Sequence, residues 1–326
     1  MSTAAHAAAR SILPLLTVAA VAVGVLTGTA PGTTPAIRLV SDANPLAGHT
    51  FYVNPDSKAA RAAKGDPSPE LDIIVNTPTA YWMDHLSSPA VDAKYIADAQ
   101  AAGEMPILAL YGIPHRDCGS YAAGGFGSAA AYRGWIDGVA AAIGSGPAAV
   151  ILEPDALAMS GCLSSEQRQE RFELIRYAVD TLTRNPATAV YIDAGHPRWV
   201  SVEDMAGMLN EVGVARARGF SLNTANFFTT EESIGYGEAI SGLTGGAHYV
   251  IDTSRNGAGP LDSDAWCNPP GRALGAFPTT ATAGAHADAY LWIKRPGESD
   301  GACNGHPPAG TFVARYAVEL VRNAGL

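Results

Sequence analysis

Six short apolar runs recur along the chain, and each is followed by a polar loop and then by a stretch with helical periodicity. The runs are apolar throughout rather than alternating, which is typical of parallel strands that are buried on both faces. Because strand and helix alternate, the pattern predicts an α/β fold and favours a (β/α) barrel over an open sheet. The six runs cover residues 106–111, 148–152, 188–192, 219–222, 248–251 and 289–293.

Two further segments and three capping signals complete the predicted elements. Residues 51–53 and 71–75 are rich in apolar side chains, and we expect them to supply one or two more strands. A helix start is favoured where Ser or Thr stands three residues before Gln or Glu, or directly before an acidic first turn. These signals predict helix starts at Ser164 with Gln167, at Thr229 with Glu232, and at Ser201.

The amino-terminal region has the pattern of a secretory signal. Residues 12–26 are apolar except for Thr17, follow Arg10, and precede a run of small residues. We therefore predict a signal peptide over residues 1–30 and a secreted, extracellular protein. An uncleaved membrane anchor is the alternative, because Pro31 stands beside the expected cleavage point. We expect a disordered segment over residues 31–48 and a single folded domain over residues 49–326.

Four cysteines lie in the part of the chain that follows the signal region. Thiols outside the cytoplasm tend to oxidise, so we interpret these cysteines as two disulfides rather than as a metal site. Three pairings are possible, and pairing Cys118 with Cys162 and Cys267 with Cys303 closes the shortest loops. Neither pair has the spacing that zinc ligands usually show.

Composition and charge exclude several classes of partner. The chain has 21 basic and 31 acidic residues, which gives a net charge of −10, and it has no cluster of Lys and Arg. Nucleic acid and anionic membrane surfaces are therefore not expected as partners. The sequence has neither a G-x-S-x-G nor an H-E-x-x-H motif, and His115 and His196 are isolated. We expect no cofactor and no catalytic metal.

Polar residues follow each apolar run, at the carboxyl end of each predicted strand. In a parallel barrel this is the face where active sites are built. Asp117, Asp155 and Asp193 stand in three of these positions, and several aromatic residues lie in or near the same loops. Carboxylates beside aromatic rings that can stack on sugars are the expected equipment for cleaving a glycosidic bond.

Six tracts in the same order resemble glycoside hydrolase family 6, a family of secreted cellulases that includes endoglucanases and cellobiohydrolases. The resemblance implies a distorted (β/α) barrel with about seven parallel strands in a single catalytic domain. It also implies two disulfides in the pairing preferred above. The tracts are IPHRDCG, ILEPDAL, YIDAGH, DTSRNG, WCNPPGR and LWIKRPGESDG, which begin at residues 113, 151, 191, 252, 266 and 291.

The resemblance implies three catalytic carboxyl groups. Asp155 matches the general acid, which must stay protonated near neutral pH through burial or a nearby negative charge. Asp117 matches the partner carboxylate that supplies this repulsion and stabilises the positive charge of the transition state. Asp300 matches the position of a candidate base, with a structural role as its alternative. Because the family inverts the anomeric centre, the carboxyl groups are expected to stand roughly 6.5 to 9.5 Å apart.

The resemblance also implies a set of substrate contacts. Trp82, Trp199 and Trp266 match positions that stack on sugar rings, and Tyr111 matches a tyrosine beside the distorted sugar. The sequence departs from many members at Ala122-Ala123, where a serine often helps to hold the catalytic water. For Asp193 the resemblance implies substrate binding and organisation of its loop rather than proton transfer. Further contacts to sugar are implied for His196, Asn226, Arg272, Lys294 and Glu298.

The loops closed by the predicted disulfides are shorter than expected of members that enclose their substrate in a tunnel. We therefore predict an open cleft and a secreted endo-β-1,4-glucanase that hydrolyses internal bonds of cellulose or a related β-glucan. The alternatives are a cellobiohydrolase of the same family and a catalytically weak glucan-binding protein. The expected partner is a β-1,4-glucan or a cello-oligosaccharide, and the protein is expected to be a monomer.

Overall fold

A computed structural model describes residues 43–261 and 265–326, and its centre is a single parallel sheet. Seven strands lie in chain order, and each pairs in parallel with the next. The six predicted apolar runs all supply strands, so this part of the prediction is confirmed. The strands are Tyr81–Met83 (β1), Ile107–Leu110 (β2), Ala148–Leu152 (β3), Thr188–Asp193 (β4), Gly219–Leu222 (β5), His248–Asp252 (β6) and Ala287–Leu291 (β7).

A helix lies between each pair of consecutive strands from β1 to β6, and further helices lie before β1 and after β7. The predicted caps are confirmed: Ser164 and Thr229 form capping boxes, and the Ser201 side chain accepts a hydrogen bond from an N–H of the first helical turn. Over the described residues, no helix is both long and apolar enough to cross a membrane. The α-helices are Lys58–Gly65 (α1), Pro69–Val75 (α2), Pro89–Ala101 (α3), Ala129–Ile143 (α4), Ser165–Leu182 (α5), Val202–Glu211 (α6), Thr230–Leu243 (α7) and Ala314–Asn323 (α8).

The sheet curls until its two edges meet. The N–H of Ala80, just before β1, donates to the carbonyl of Trp292, just after β7, at 2.9 Å. The indole N–H of Trp82 donates to the carbonyl of Ile293 at 2.8 Å. The predicted distorted (β/α) barrel with about seven parallel strands is thus confirmed.

Side chains that alternate along each strand fill the inside and the outside of the curled sheet. In β3, Ala149 and Ile151 belong to the inner apolar cluster, while Val150 and Leu152 pack against the helices. Because the interior is filled in this way, the space available for a ligand lies above the carboxyl ends of the strands.

The first predicted strands were placed wrongly. Residues 71–75 lie in helix α2, whose Ser68 cap accepts the N–H of Leu71 at 3.2 Å and whose first residue is Pro69. A five-residue apolar run fits either a strand or a helix, and the Ser-Pro start favours the helix. Phe51 forms only an isolated bridge with Met105. The remaining strand is β1, which the sequence analysis did not identify.

Packing against the sheet begins before residue 49. Leu46 is fully buried, and the Asn44 side chain donates to the carbonyl of Asp288 at 2.6 Å. These residues fall within the predicted disordered segment, yet burial of Leu46 holds them against the barrel. The predicted signal peptide over residues 1–30, its anchor alternative and residues 31–42 lie outside the described residues.

Candidate active site

A cleft of about 1200 Å³ lies at the carboxyl ends of the strands. Its volume exceeds the roughly 300 to 1,000 Å³ of typical small-molecule pockets, which suits an extended ligand. The structure brings eleven of the predicted site residues to its walls. They are Trp82, Tyr111, Asp117, Asp155, His196, Trp199, Asn226, Trp266, Lys294, Glu298 and Asp300.

Asp155 stands in the turn after β3 with a left-handed backbone (φ 68°). Its backbone N–H donates to the Asp193 carboxylate at 2.9 Å, which fixes the turn. Burial, together with the negative charges of Asp193 and Asp117, raises the pKa of Asp155 well above its usual range. A carboxyl group in this environment can hold its proton near neutral pH.

Asp193, the last residue of β4, lies behind Asp155 rather than on the cleft wall. It was predicted to bind substrate and to organise its loop, and it is 1% exposed with its oxygens occupied by protein donors. Ser221 and Thr224 donate to its Oδ2 at 2.9 and 2.7 Å, and the N–H groups of Gly195 and Asp155 donate to its Oδ1. The contacts of Asp193 therefore orient the Asp155 turn, which agrees with the loop-organising part of the prediction.

Asp117 lies in the loop after β2 and is partly exposed to the cleft. Its Oδ2 accepts the backbone N–H of Ala122 at 2.6 Å. Burial raises the pKa of Asp117, although the bond from Ala122 and the charge of Arg116 oppose this shift. The carboxyl groups of Asp117 and Asp155 thus face one cleft, and the first raises the pKa of the second.

Asp300 is held between two cations. Its carboxylate contacts Arg255 Nη1 at 2.8 Å and Lys294 Nζ at 2.9 Å, and it accepts the N–H of Asn268 at 3.0 Å. Burial opposes ionisation of Asp300, but Arg255 and Lys294 outweigh it and lower the pKa to about 2. Asp300 therefore stays ionised, and its low basicity makes it a poor acceptor of a proton.

Arg116 organises the loop that follows β2. Its guanidinium lies 4.3 Å from the ring centroid of Tyr111 and donates to the Tyr111 carbonyl at 2.5 Å. The same side chain donates to the Ala122 carbonyl at 2.8 Å. The Tyr111 and Trp82 rings are nearly perpendicular, with their centroids 5.4 Å apart, so two of the predicted sugar contacts pack against each other.

The other aromatic side chains of the cleft are more exposed. Trp199 is 38% exposed and Trp266 is 46% exposed, which leaves their faces available for stacking. The His196 ring lies 5.0 Å from Trp199 and 4.3 Å from Phe228. His196 therefore links a stacking residue to the buried part of the cleft wall.

Arg272 does not reach the cleft. It was predicted to contact sugar, but its guanidinium donates to the carbonyls of Ala258, Gly259 and Pro270. These bonds hold the loop after β6, because the side chain turns back onto its own chain. Glu298 does line the cleft, and its carboxylate forms an ion pair with Arg295 at 2.6 Å.

Two buried residues support the site without having been predicted to do so. Glu153 is fully buried, and its carboxyl accepts the N–H groups of Gly112 at 3.1 Å and Ile113 at 3.0 Å. Burial raises the pKa of Glu153 to about 7. Arg255 is also fully buried and pairs with Asp300. Charged residues directly after apolar runs were the available signal, but the sequence did not indicate which of them face inward.

Both predicted disulfides are present. Cys118 pairs with Cys162 and so joins the Asp117 loop to the segment after β3. Cys267 pairs with Cys303 and so joins the Trp266 loop to the segment that carries Asp300. The pairing preferred from the sequence is confirmed.

The described part of the chain matches a known family along nearly its whole length. The family model described as "Glycosyl hydrolases family 6" matches residues 46–324. The chain belongs to glycosyl hydrolase family 6. The resemblance inferred from the six sequence tracts is confirmed.

Two curated relatives of this family 6 chain are endoglucanases. It is 47% identical over 281 residues to Endoglucanase A of Cellulomonas fimi, in a match that covers 84% of this chain and 61% of that protein. It is 40% identical over 287 residues to Endoglucanase 1 of Streptomyces halstedii, with 83% and 88% covered. The family 6 chain thus spans only about six-tenths of the first relative and nearly nine-tenths of the second.

A solved structure resembles the family 6 chain along most of its length. The endoglucanase Cel6 from Mycobacterium tuberculosis is 67% identical and superimposes with a TM-score of 0.85, covering 87% of this chain and 100% of that one. That protein was solved in complex with methyl-cellobiosyl-4-deoxy-4-thio-β-D-cellobioside.

Proposed function

We propose that this family 6 chain is a secreted endo-β-1,4-glucanase that inverts the anomeric centre of the sugar it releases. The observation that carries the proposal is the pair Asp155 and Asp117, which face one cleft and of which the first has a strongly raised pKa. Its relatives named as endoglucanases, and the thio-cello-oligosaccharide bound by one of them, support a β-1,4-glucan as substrate.

Asp155 acts as the general acid in this proposal. The protonated carboxyl donates its proton to the glycosidic oxygen as the bond to the leaving sugar breaks. Asp117 stays ionised in this step and stabilises the positive charge that develops on the sugar ring. Water attacks the opposite face of the ring in the same displacement, which inverts the anomeric centre. The proton that this water loses passes to the surrounding solvent water, from which Asp155 is protonated again before the next turnover.

Asp300 serves this reaction as a fixed negative charge rather than as the base. Its pairing with Arg255 and Lys294 lowers its pKa to about 2, so it has little affinity for a proton at the pH of the reaction. Its contact with Lys294 orients an ammonium group that lines the cleft. Lys294 is then available to donate hydrogen bonds to sugar hydroxyls.

The aromatic side chains supply most of the affinity for the glucan. Trp199 and Trp266 present exposed ring faces, while Trp82 and Tyr111 form a half-buried pair of rings in the cleft. Stacking on pyranose rings recognises a chain of sugars without requiring a free end. His196, Asn226, Lys294 and Glu298 contribute polar contacts along the same walls.

The proposal also includes an extracellular location and a monomeric state. Two disulfides persist in oxidising surroundings, which supports an extracellular location. We propose that the protein acts there as a monomer on soluble or amorphous β-glucan.

Viscometry on carboxymethyl-cellulose tests the activity and its mode together. Internal cleavage lowers the viscosity steeply for each new reducing end, because a single cut halves a long chain. Slow viscosity loss with cellobiose as the sole early product would instead establish a cellobiohydrolase. Asp155→Asn is the matched control, since it keeps the shape of the side chain and removes the proton that it donates.

The glucan-binding alternative predicts a different pair of results. A binding protein holds cellohexaose in calorimetry, and neither wild type nor Asp155→Asn releases product from it. An enzyme shows hydrolysis by wild type only and comparable binding by both. NMR of the first product from cellohexaose then identifies its anomer, and a retained configuration contradicts the inverting mechanism.

A further inference from the structure

The Tyr121 side chain connects the two disulfide-bonded loops of the cleft. Tyr121 belongs to the loop that carries Asp117. The centroid of its ring lies 5.9 Å from that of Trp266 on the opposite loop. The ring also packs directly on Gly301, where an added Cβ would stand 2.5 Å from the Tyr121 Cγ. We call the packing of Tyr121 on Gly301 and Trp266 the Tyr121 contact.

The loop that carries Asp117 has an unfavourable backbone. Asp117, Cys118 and Gly119 adopt left-handed conformations in succession, with φ values of 58°, 47° and 87°. Residues with side chains rarely adopt this region, and they stay there only where the surrounding structure holds them. The direction of the Asp117 carboxylate therefore depends on contacts made by the rest of the loop.

Three kinds of contact hold this loop at its two ends. The Cys118–Cys162 disulfide fixes the beginning of the loop. At the other end, the Ala122 N–H donates to Asp117 Oδ2 at 2.6 Å, and the Ala122 carbonyl accepts from Arg116. Tyr121 stands directly before Ala122, so the Tyr121 contact holds this second end against the opposite loop.

We infer that Tyr121 is a positioning residue for Asp117, acting through the backbone of Ala122 and anchored across the cleft on Gly301. This inference rests on the proposed hydrolysis, since it assigns Tyr121 to the same reaction. Because the ring packs on Gly301, the contact can also be disturbed from the opposite wall of the cleft. A methyl group at residue 301 displaces the ring from the far side of the contact without altering Tyr121 itself.

A double-mutant cycle tests the inference. Tyr121→Ala and Gly301→Ala are each expected to lower kcat on cellohexaose about tenfold or more, because small misplacements of catalytic groups are costly. KM is expected to change less than kcat. The double variant is expected to lose less than the sum of the two single losses, because removing the ring relieves the contacts with Cγ and Cδ1 and leaves only the Cβ of residue 121, 2.7 Å from the added methyl group. Tyr121→Phe keeps the ring and is expected to recover most of the rate.

The pH profile separates positioning from a general loss of stability. Asp117 raises the pKa of Asp155, so displacement of Asp117 is expected to move the basic limb of kcat/KM to lower pH in both single variants. Two substitutions remote from the cleft serve as controls. Phe277→Ala removes another exposed ring, and Gly242→Ala adds a methyl group where no atom outside its own helix lies within 4 Å. Neither control is expected to move the limb.

Hydrogen exchange gives a readout that does not require activity. Peptides covering residues 118–124 are expected to exchange faster in Tyr121→Ala and Gly301→Ala than in wild type, because the Ala122 N–H loses its fixed acceptor. If both variants exchange faster but the wild type hydrolyses no glucan, the proposed function fails while the anchoring of the loop stands.

Three results would overturn the inference in an active wild type. Unchanged kcat and exchange in both single variants would show that the contact does not hold the loop. Additive losses in the double variant would show that Tyr121 and Gly301 act separately. A raised KM with unchanged kcat in Tyr121→Ala would make Tyr121 a substrate contact instead.

Discussion

The backbone N–H of Asp155 donates to the carboxylate of Asp193 at 2.9 Å, so one acid fixes the turn that presents the other. Asp155 follows β3 and Asp193 ends β4, and the two strands are neighbours, since Leu152 of β3 pairs with Ile192 of β4. Burial raises the pKa of Asp193, but four donated hydrogen bonds favour its ionised form. In this pair Asp155 is therefore the group that holds the proton.

Replacing Asp193 with Asn is expected to move the basic limb of the pH profile to lower pH. The amide oxygen can still accept the Asp155 N–H, while the negative charge that raises the pKa of Asp155 is lost. The acid then loses its proton at lower pH, and activity falls earlier as pH rises. The profile of kcat/KM on cellohexaose measures the shift.

An exposed aspartate supplies the control for this experiment. Asp180→Asn removes a charge from the outer surface, where Asp180 pairs with Arg216 and is 51% exposed. It is expected to leave the profile unchanged. A basic limb that stays in place in Asp193→Asn would mean that Asp193 does not set the protonation of Asp155.

Replacing Glu153 with Gln is expected to change how stability depends on pH. Burial raises the pKa of Glu153 to about 7 from an ordinary value of 4.5, so the folded protein binds this proton more tightly than the unfolded chain does. The resulting stability is present below about pH 4.5 and is lost as pH rises through about 7, by about 3 kcal/mol.

Urea unfolding between pH 4 and pH 8 measures this effect. Gln is neutral throughout this range and can still accept the N–H groups of Gly112 and Ile113 through one oxygen. The difference in unfolding free energy between wild type and Glu153→Gln is therefore expected to shift in favour of Gln as pH rises. A constant difference would show that folding leaves the pKa of Glu153 unchanged.

The sequence predicted the interior strands well because their apolar runs have a single explanation. β3 and β4 are buried along their whole length, which requires apolar residues on both faces. β1 has only three residues at an edge of the sheet, and its first two side chains are partly exposed. A pattern of three residues is too short to distinguish a strand from a loop. The apolar run of α2, in contrast, was long enough to be interpreted as a strand.

The site was predictable to the extent that residues after strands face a common cleft. The sequence does not determine whether such a side chain points outward or back into the protein. The Asp193 carboxylate is turned into the protein because the hydroxyl groups of Ser221 and Thr224 donate hydrogen bonds to it. Arg272 is turned away from the cleft because it donates to the Gly259 carbonyl of its own loop. Contacts such as that of Tyr121 with Gly301 join segments far apart in the chain, and no local pattern indicates them.

The exposed tryptophans are expected to bind substrate without supporting the fold. Trp199→Ala is predicted to weaken cellohexaose binding by about 1 kcal/mol, the order of aromatic contact energies, while thermal unfolding changes little. Trp82→Ala is predicted to affect both, because its indole N–H bonds to the Ile293 carbonyl where the sheet edges meet. Calorimetric titration and thermal unfolding separate the two effects. Equal loss of stability in both variants would contradict this division.

Asp300→Asn is expected to destabilise the protein by about 3 to 5 kcal/mol, because Arg255 would remain buried without its partner. The wild-type ion pair lowers the pKa of Asp300 to about 2, so its contribution is present above about pH 3.8 and is lost as pH falls towards 2. Urea unfolding at pH 7 and pH 3 measures both effects. If Asp300 were instead the base, azide would restore turnover to Asp300→Ala by replacing the activated water, and we expect no such rescue.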